Sequence, residues 1–231
     1  MRLLFLLFVA ANSLCSAQEV RQIECRFLAF GAIGETKSAI AVSAKGEDVP
    51  CPLSSTQLSR KVVCDARGNT ISFLSSTDRK PLASVAVPPG VRQALMVFVR
   101  LEKPGSEAAA DSGWRAFLID DSPKNFPDGG AYMANFYSND IRFVIGEHKG
   151  MLHAGGTHGY AMPTKRDDFN MAPVTVEFRN GEKWRIANES SLRFLPGMRY
   201  LIFAYIDPVS GRPRINTYQD LADPAAASAT P

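Results

Sequence analysis

All three histidines of the 231-residue sequence lie in one glycine-rich stretch, residues 147–160, EHKGMLHAGGTHGY. His148, His153 and His158 stand five residues apart, and imidazoles are common zinc ligands. Zinc sites, however, favour closer ligand spacing or separate rigid elements together with supporting carboxylates, and Glu147 is the one carboxylate in this stretch. We therefore predict surface-turn histidines, with His153 and His158 as possible cross-strand neighbours. The three are the candidate metal ligands, although no metal is expected.

Other motifs of catalytic chemistry are missing from the sequence. It contains no G-x-S-x-G elbow, no G-x-x-x-x-G-K-[ST] loop and no H-E-x-x-H pair. Asp120 and Asp121 are adjacent acids, but neighbouring side chains of an extended chain point in opposite directions. Two catalytic carboxylates of a glycosidase must converge on one bond. We therefore predict turn-forming carboxylates there, no enzymatic activity and no cofactor.

The first residues of the chain predict export. Residues 1–17 contain an apolar run of about ten residues, well short of the roughly twenty that a spanning helix needs. The small residues Cys15 and Ala17 suit the positions before a signal-peptidase cut, so the mature chain is expected to begin near Gln18. Leu14 stands where lipidation of Cys15 would need a small residue. We predict a periplasmic or extracellular protein without a transmembrane segment.

Three cysteines remain once the leader is removed, so at most one bridge can form within the chain. Cys51 and Cys64 flank a turn-rich stretch and are predicted to pair, which would stabilise the fold by about 3 kcal/mol in the chain-entropy model. Cys25 lies in the alternating segment IECRFLAF. There it is predicted to be a small buried hydrophobic residue.

Composition sets limits on size and partners. The chain is 45% hydrophobic and 21% charged, which is typical of a globular protein long enough for one large or two small domains. Its 26 basic and 23 acidic residues give a net charge of +3, and the basic residues are scattered. A nucleic-acid partner is therefore not expected.

The spacing of apolar residues predicts short β-strands. Eight segments bounded by Gly, Pro, Asn, Asp or Ser have a two-residue period: SAIAVSA, TISFLS, ASVAVPPG, ALMVFVRL, RAFLID, IRFVIG, VTVEFRNG and YLIFAYID. No comparable stretch has helical spacing with helix caps. The pattern predicts an all-β protein built as an antiparallel sandwich of the immunoglobulin-like kind.

The sequence also contains an internal match that predicts duplication. PPGVRQALMVFV matches LPGMRYLIFAYI at an offset of 107, which places Leu95 with Ile202. RFLAFGA lies opposite YMANFYS at an offset of 106, and WRAFLIDD lies opposite PRINTYQD at 99, with a longer first-copy loop absorbing the difference. We predict two tandem sandwiches, residues 18–121 and 122–223, followed by a disordered tail, residues 224–231.

Each copy contains a Pro-Gly pair before an apolar strand. Proline fixes its own φ and glycine accepts a positive φ, so each pair predicts a type II turn. Arg92 and Arg199, which follow these pairs, are expected near the strand entrance. There they would cap carbonyls or pair with a carboxylate.

Residues 114–146 together with LPGMRYLIFAYIDPVSGRPRI resemble uncharacterised secreted bacterial proteins made of Ig-like β-sandwich domains. In these proteins a strand ending in Asp leads to a Phe-Pro-x-Gly turn. The resemblance covers most of the mature chain through short strand and turn motifs. It implies a fold and an exported location, and it implies no activity, cofactor or catalytic residue.

These observations favour a non-catalytic exported module that binds a protein partner or supports the cell envelope. A second hypothesis is carbohydrate binding through exposed aromatic residues. The aromatic residues considered are Trp114, Trp184, Tyr132, Tyr137 and Tyr160. A third hypothesis, which we favour least, is metal-dependent hydrolysis at the histidine loop.

Overall fold

The computed structural model describes residues 19–30, 38–100, 113–207 and 210–221. The predicted leader, the longer first-copy loop and the predicted disordered tail lie outside these residues, apart from Gly113 at the end of that loop. Within them the chain is all-β, and all sixteen elements are strands. No helix among the described residues is long and apolar enough to cross a membrane.

The first half of the chain contributes eight strands. Their bounds are β1 Val20–Phe30, β2 Ser38–Val42, β3 Asp48–Pro52, β4 Val62–Arg67, β5 Thr70–Ser75, β6 Pro81–Ala86, β7 Gln93–Arg100 and β8 Trp114–Asp120.

The second half contributes the other eight. Their bounds are β9 Ala131–Asn135, β10 Ile141–Ile145, β11 His148–Leu152, β12 Thr157–Tyr160, β13 Met171–Asn180, β14 Lys183–Arg193, β15 Met198–Ile206 and β16 Pro213–Leu221. Each of the eight segments predicted from the two-residue period overlaps one of the sixteen strands.

The first half folds into two layers. Its strands form one hydrogen-bonded sheet in the order β3-β2-β5-β4-β1-β7-β8, with β6 paired to β5. Strands β4 and β5 share only the pair Arg67 and Thr70, so the sheet folds over at this hairpin. The layer β3-β2-β5-β6 then faces the layer β4-β1-β7-β8. Between them lies the first-half core, which includes Ile23, Phe27, Phe73, Leu82, Met96 and Trp114.

The second half repeats this arrangement with two separate sheets, β11-β10-β13-β14 and β12-β9-β15-β16. They enclose the second-half core, which includes Met133, Phe143, Val176, Phe178, Tyr200 and Ile202. Adding eight to each strand number of the first half gives the strand pairing of the second, except that the single β4–β5 pair has no equivalent among the described residues. Partners in the equivalent parallel pairs lie 69 residues apart in both halves, since Cys25 faces Ala94 and Ala131 faces Tyr200.

The two inner layers pack on each other. A third group of buried residues, here called the central cluster, joins β1, β7 and β8 to β9, β15 and β16. Strands β7 and β15 are therefore buried on both faces along most of their length. This explains the continuous apolar runs ALMVFV and YLIFAY. The central cluster consists of Leu28, Phe30, Leu95, Val97, Val99, Ile119, Phe126, Tyr132, Ala134, Leu201, Phe203 and Tyr218.

The predicted type II turns are confirmed at both Pro-Gly pairs. Gly90 has φ 87° and Gly197 has φ 78°, the positive values that position i+2 of this turn requires. The closing bonds run from the N–H of Val91 to the carbonyl of Pro88 at 3.4 Å and from Met198 to Leu195 at 3.1 Å. Each turn leads into a strand of an inner layer.

The face that each side chain occupies corrects the predicted strand match by one residue. Leu95 lies in the central cluster, whereas Ile202, its predicted equivalent, lies in the second-half core. Leu201, at an offset of 106, shares the central cluster with Leu95. The turns match at 107 and the strands at 106 because Leu95 lies five residues after Gly90, whereas Leu201 lies four residues after Gly197.

Candidate functional site

The structure places the three histidines in different surroundings. His148 opens β11, in the outer sheet of the second half, while His158 lies on β12 in the inner sheet. His153 follows β11, so the expectation that it is a cross-strand neighbour of His158 is wrong. The two strands that flank this turn pair into different sheets.

Each imidazole makes its own contact. His148 Nε2 lies 3.0 Å from the carbonyl of Ala161, and His153 Nδ1 lies 3.1 Å from an Asp140 carboxylate oxygen. His158 packs beside the Tyr160 ring at 4.8 Å between ring centres. Among the residues that the structure describes, no three His, Cys, Asp or Glu side chains are grouped to hold a metal ion.

The carboxylate considered as support for a metal has another role. Glu147 accepts hydrogen bonds from the backbone N–H of Thr164 at 2.7 Å, from the Thr164 hydroxyl at 2.9 Å and from the N–H of Lys165 at 3.2 Å. These hydrogen bonds lower the pKa of Glu147 to about 2, and the largest contribution comes from the backbone N–H of Thr164. Glu147 thus fixes the loop that follows β12.

The three cysteines meet in the first-half core as buried, free thiols. The sulfurs of Cys51 and Cys64 lie 4.0 Å apart, which is a contact between reduced thiols. Hydrogen bonding to Cys64, together with burial, raises the pKa of Cys25 and of Cys51, and the same bonds lower the pKa of Cys64, the shared acceptor. The bridge between Cys51 and Cys64 stays a prediction.

The adjacent acids point to different partners. Asp120 accepts hydrogen bonds from the N–H of Ser122 at 3.0 Å and from the Asn125 amide at 2.5 Å, as a turn-forming carboxylate does. Asp121 instead joins a buried group of four charges between the two halves.

The four-charge group consists of Arg26, Asp121, Arg199 and Asp220. Arg26 contacts Asp220 at 2.7 Å and Asp121 at 2.8 Å, while Arg199 contacts them at 2.5 and 2.9 Å. Burial acts to lower the pKa of Arg26, but the hydrogen bond with Asp220 and the charge of Asp121 outweigh it and raise that pKa. Arg199 also lies 4.0 Å over the Phe126 ring. The predicted pairing of Arg199 with a carboxylate is confirmed. No sequence pattern indicated that Arg26 would join the same group.

Most of the aromatic residues considered for sugar binding are in the cores. Trp114 and Tyr132 are buried, and Tyr137 and Tyr160 pack against the second-half core. Trp184 differs, since it lies half-buried on edge strand β14 with the Arg142 guanidinium 4.2 Å over its ring. These five residues therefore do not form a row of exposed rings on which sugars could stack.

The outer sheets of the two halves present faces of different chemistry. In the first half, one row across the sheet reads Pro50, Ile40, Leu74, Pro81, and the next continues through Asp48, Val42, Ser72 and Ser84. We call the outward side chains of this sheet the uncharged face. It comprises Ser38, Ile40, Val42, Pro50, Pro52, Thr70, Ser72, Leu74, Pro81, Ser84 and Ala86, with Asp48 at its edge ion-paired to Arg79.

The equivalent rows of the second half are rich in charge. They read Met151, Arg142, Glu177, Ile186 and then Lys149, Val144, Thr175, Glu189. Four of these eight side chains are ionisable, against Asp48 alone in the first half. Interface centres are depleted in charged residues because desolvating a charge costs far more than desolvating a hydroxyl or an alkyl group. The uncharged face is therefore the better candidate for a binding surface.

Sequence reasoning did not identify the uncharged face, although part of its signal was present. SAIAV and TISFLS contain no ionisable residue, whereas the equivalent strands IRFVI and MAPVTVEFRN contain Arg and Glu. What the sequence lacked was the pairing of β2 with β5, which brings the outward residues of both strands onto one face. No family model matches the chain, and no curated protein matches it.

Proposed function

We propose that the protein is a non-catalytic exported binding module built of two tandem Ig-like domains, residues 18–121 and 122–223. Apart from the single β4–β5 pair, the two halves have the same strand pairing, which supports an origin by duplication. The equal separation of partners in the two parallel pairs supports it further. The predicted leader supports export, and a mature chain beginning at Gln18 is the expected result of mass spectrometry on the secreted protein.

A binding role agrees better than a catalytic one with the polar groups of the fold. His148 contacts a backbone carbonyl and His153 a carboxylate, while His148 and His158 lie 5.6 and 4.8 Å from the Tyr160 ring. Among the described residues these side chains do not form a metal-binding group. The four buried charges form ion pairs with each other between the halves, and their side chains are only 4–14% exposed. In contrast, the uncharged face is open to solvent, since Pro50, Ser72 and Ser84 are exposed on it, and it borders a surface cavity that is also lined by Asp65 and Arg67. This observation carries the proposal.

A photo-reactive amino acid placed at Ser84 tests the proposed surface. Ser84 is exposed on the uncharged face, and Ser191 is an exposed serine on the outer face of the second half. Illumination of cells that export each variant should give specific cross-linked products from position 84 and none from position 191. Equal cross-linking from both positions, or none from position 84, contradicts the proposed surface.

Carbohydrate binding is a second candidate because Trp184 presents an indole beside Arg142 at the surface. Aromatic faces stack on sugar rings, and an adjacent guanidinium can donate to hydroxyl groups. A glycan array probed with the wild type, Trp184→Ala and Phe169→Ala tests it, since Phe169 is also aromatic and is 70% exposed. Specific retention that only Trp184→Ala abolishes would favour this candidate, and an empty array would remove it.

A further inference from the structure

A surface cavity of about 350 Å³ lies at the border of the uncharged face, where the two layers of the first half meet. This volume is at the lower end of the roughly 300–1,000 Å³ that ligand pockets have, so it suits a small molecule. We infer that the cavity binds a free α-amino acid with an aliphatic side chain. The inference rests on the proposed binding function and adds a ligand class to it. The cavity is lined by Val42, Asp65, Arg67, Thr70, Ser72 and Leu74.

The cavity lies where strands β4 and β5 separate. Among their described residues these strands pair at Arg67 and Thr70 alone, and beyond this pair β4 belongs to the inner layer and β5 to the outer one. Side chains alternate along a strand, so Asp65 and Ser72 are the next residues on the sides of Arg67 and Thr70. A space opens between Asp65 and Ser72 because no strand pairing holds them together there.

The two charged side chains of the cavity are held by the turn between β2 and β3. One carboxylate oxygen of Asp65 accepts a hydrogen bond from the N–H of Ala44 at 2.6 Å, and Arg67 donates to the carbonyl of Ser43 at 2.7 Å. Among the described residues, Asp65 and Arg67 form no ion pair with each other or with a third residue. Each is therefore fixed at one atom, while the second Asp65 oxygen and most of the five Arg67 donors stay available to a ligand.

These two charges match the two charged groups of an amino acid. Asp65 and Arg67 are two residues apart on one side of β4, which separates their Cα atoms by about 7 Å along the strand. The available Asp65 oxygen can accept from the ammonium group, and the Arg67 guanidinium can donate to both oxygens of the carboxylate. Thr70, the cross-strand partner of Arg67, adds a hydroxyl next to the carboxylate position. A ligand with one charge alone would meet a like charge at the other residue.

The other walls of the cavity fit an aliphatic side chain. Val42 and Leu74 are half-buried, and they line the cavity together with the exposed Ser72. Contact with these alkyl groups removes the aliphatic side chain of a ligand from water, which favours binding. No aromatic residue is among the six described residues that line the cavity, whereas a ring on which the sugar stacks is typical of sugar sites. The lining therefore favours an aliphatic amino acid over a sugar.

The corresponding corner of the second half is filled by its own residues. There the turn between β10 and β11 contacts the segment that follows β12. Both oxygens of Glu147 accept hydrogen bonds from Thr164 and Lys165, and a Cβ added to Gly146 would lie 2.6 Å from the Cβ of Pro163. The repeated unit thus folds with this corner occupied, so the fold does not require the cavity of the first half.

NMR titration of the full exported chain with L-alanine, L-valine and L-leucine tests the inference. At least one of them should bind with a Kd below about 1 mM. Asp65→Asn keeps an oxygen for the Ala44 N–H but removes the charge, and Arg67→Gln removes the guanidinium. Each should weaken binding at least about tenfold, because each removes a charge-assisted hydrogen bond. Asp78→Asn and Arg185→Gln make the same changes at exposed positions elsewhere and should bind as the wild type does.

Two analogues of the bound amino acid show which group each side chain contacts. The N-acetyl form lacks the ammonium charge, and the amide lacks the carboxylate charge. The wild type should bind both at least about tenfold more weakly than the amino acid. Asp65→Asn should no longer discriminate against the N-acetyl form, and Arg67→Gln should no longer discriminate against the amide. A purely structural role of either residue would weaken all three ligands alike.

Ser72→Leu fills the cavity from β5 and leaves both charges in place, so it serves if a charged variant loses its native circular dichroism. It should abolish binding, whereas Ser84→Leu, the same change outside the cavity, should not. Three results would overturn the inference: no binding of the three amino acids up to about 10 mM, binding that Asp65→Asn, Arg67→Gln and Ser72→Leu leave unchanged, or tighter binding of D-glucose than of any of them.

The cross-linking experiment at position 84 separates this failure from failure of the proposed function. Ser84 does not line the cavity, so its cross-links do not depend on the amino acid. Specific cross-links without amino-acid binding would keep the binding surface and reject the ligand. The absence of both would reject the ligand and the proposed surface together.

Discussion

At the scale of single residues, the most constrained polar groups are the four charges between the halves. Arg26, Asp121, Arg199 and Asp220 have side chains between 4% and 14% exposed, so water screens them little. Each arginine contacts both carboxylates. Removing one carboxylate therefore leaves two buried guanidinium groups to share the other.

We expect Asp220→Ala to lower the free energy of unfolding by about 3–5 kcal/mol, because it leaves buried positive charge without compensation. Urea denaturation followed by circular dichroism measures the loss. The control is Asp78→Ala, which removes a fully exposed carboxylate paired with Lys80 and should leave the transition unchanged. A loss for Asp220→Ala no larger than that for Asp78→Ala would contradict a stabilising role for the buried group.

Glu147 predicts a pH dependence in the acid range. Its pKa is lowered to about 2 in the folded chain, mainly by the bond from the Thr164 N–H, from an ordinary value near 4.5. A lowered folded-state pKa contributes stability that is complete above the ordinary value and is lost as the pH falls toward about 2. Glu147→Gln should thus show a weaker fall in stability between about pH 5 and pH 2 than the wild type, by urea denaturation at a series of pH values. Parallel curves for the two proteins would exclude this role.

At the scale of elements, the two-residue period predicted eight strands because each carries apolar side chains at core-facing positions. The other eight strands are not among these segments. One of them is β14, whose residues are mostly exposed and whose pairing with β13 shifts register at Val176 and Glu177. An edge strand with a bulge has few buried positions to reveal it. The sequence predicts that the glycines near the histidines form turns. Gly155 does so, with a φ of 73°.

Gly159 has a different reason to be glycine. A Cβ at this position of β12 would lie 1.8 Å from the carbonyl oxygen of Asn125, in the segment that connects the halves. We expect Gly159→Ala to destabilise the protein by about 1–3 kcal/mol, because backbone must move to admit the methyl group. Gly155→Ala has open space and only a φ cost, so it should destabilise by less, about 1 kcal/mol. Thermal unfolding compares the two, and equal losses would contradict the packing explanation.

At the scale of the whole molecule, the sequence predicted two sandwiches but not how they associate. The halves pack through residues of the central cluster such as Leu28 and Phe203, which are distant in sequence. Along their strands these residues alternate with residues of the core of their own half. Periodicity alone cannot distinguish a strand buried on both faces from one in a single core. For the same reason the four-charge group and the uncharged face became visible only through strand pairing.

The central cluster predicts that the halves unfold together. Each inner layer would expose apolar strands such as β7 and β15 if the other half unfolded, which makes separate unfolding costly. The two tryptophans report on the halves separately, since Trp114 lies in the first-half core and Trp184 on the outer face of the second. Trp184→Phe and Trp114→Phe therefore leave one reporter each, and their urea transitions should coincide.

Phe203→Ala decides whether the coupling resides in the central cluster. Phe203 is fully buried there, 4.9 Å from the Phe30 ring of the first half. Its truncation should cost about 3–5 kcal/mol and shift the fluorescence transitions of both single-tryptophan proteins by equal amounts, because the cavity weakens a contact that both halves share. If only the Trp184 transition moved, the halves would be separate folding units, and the central cluster would be a contact between domains that are each stable alone.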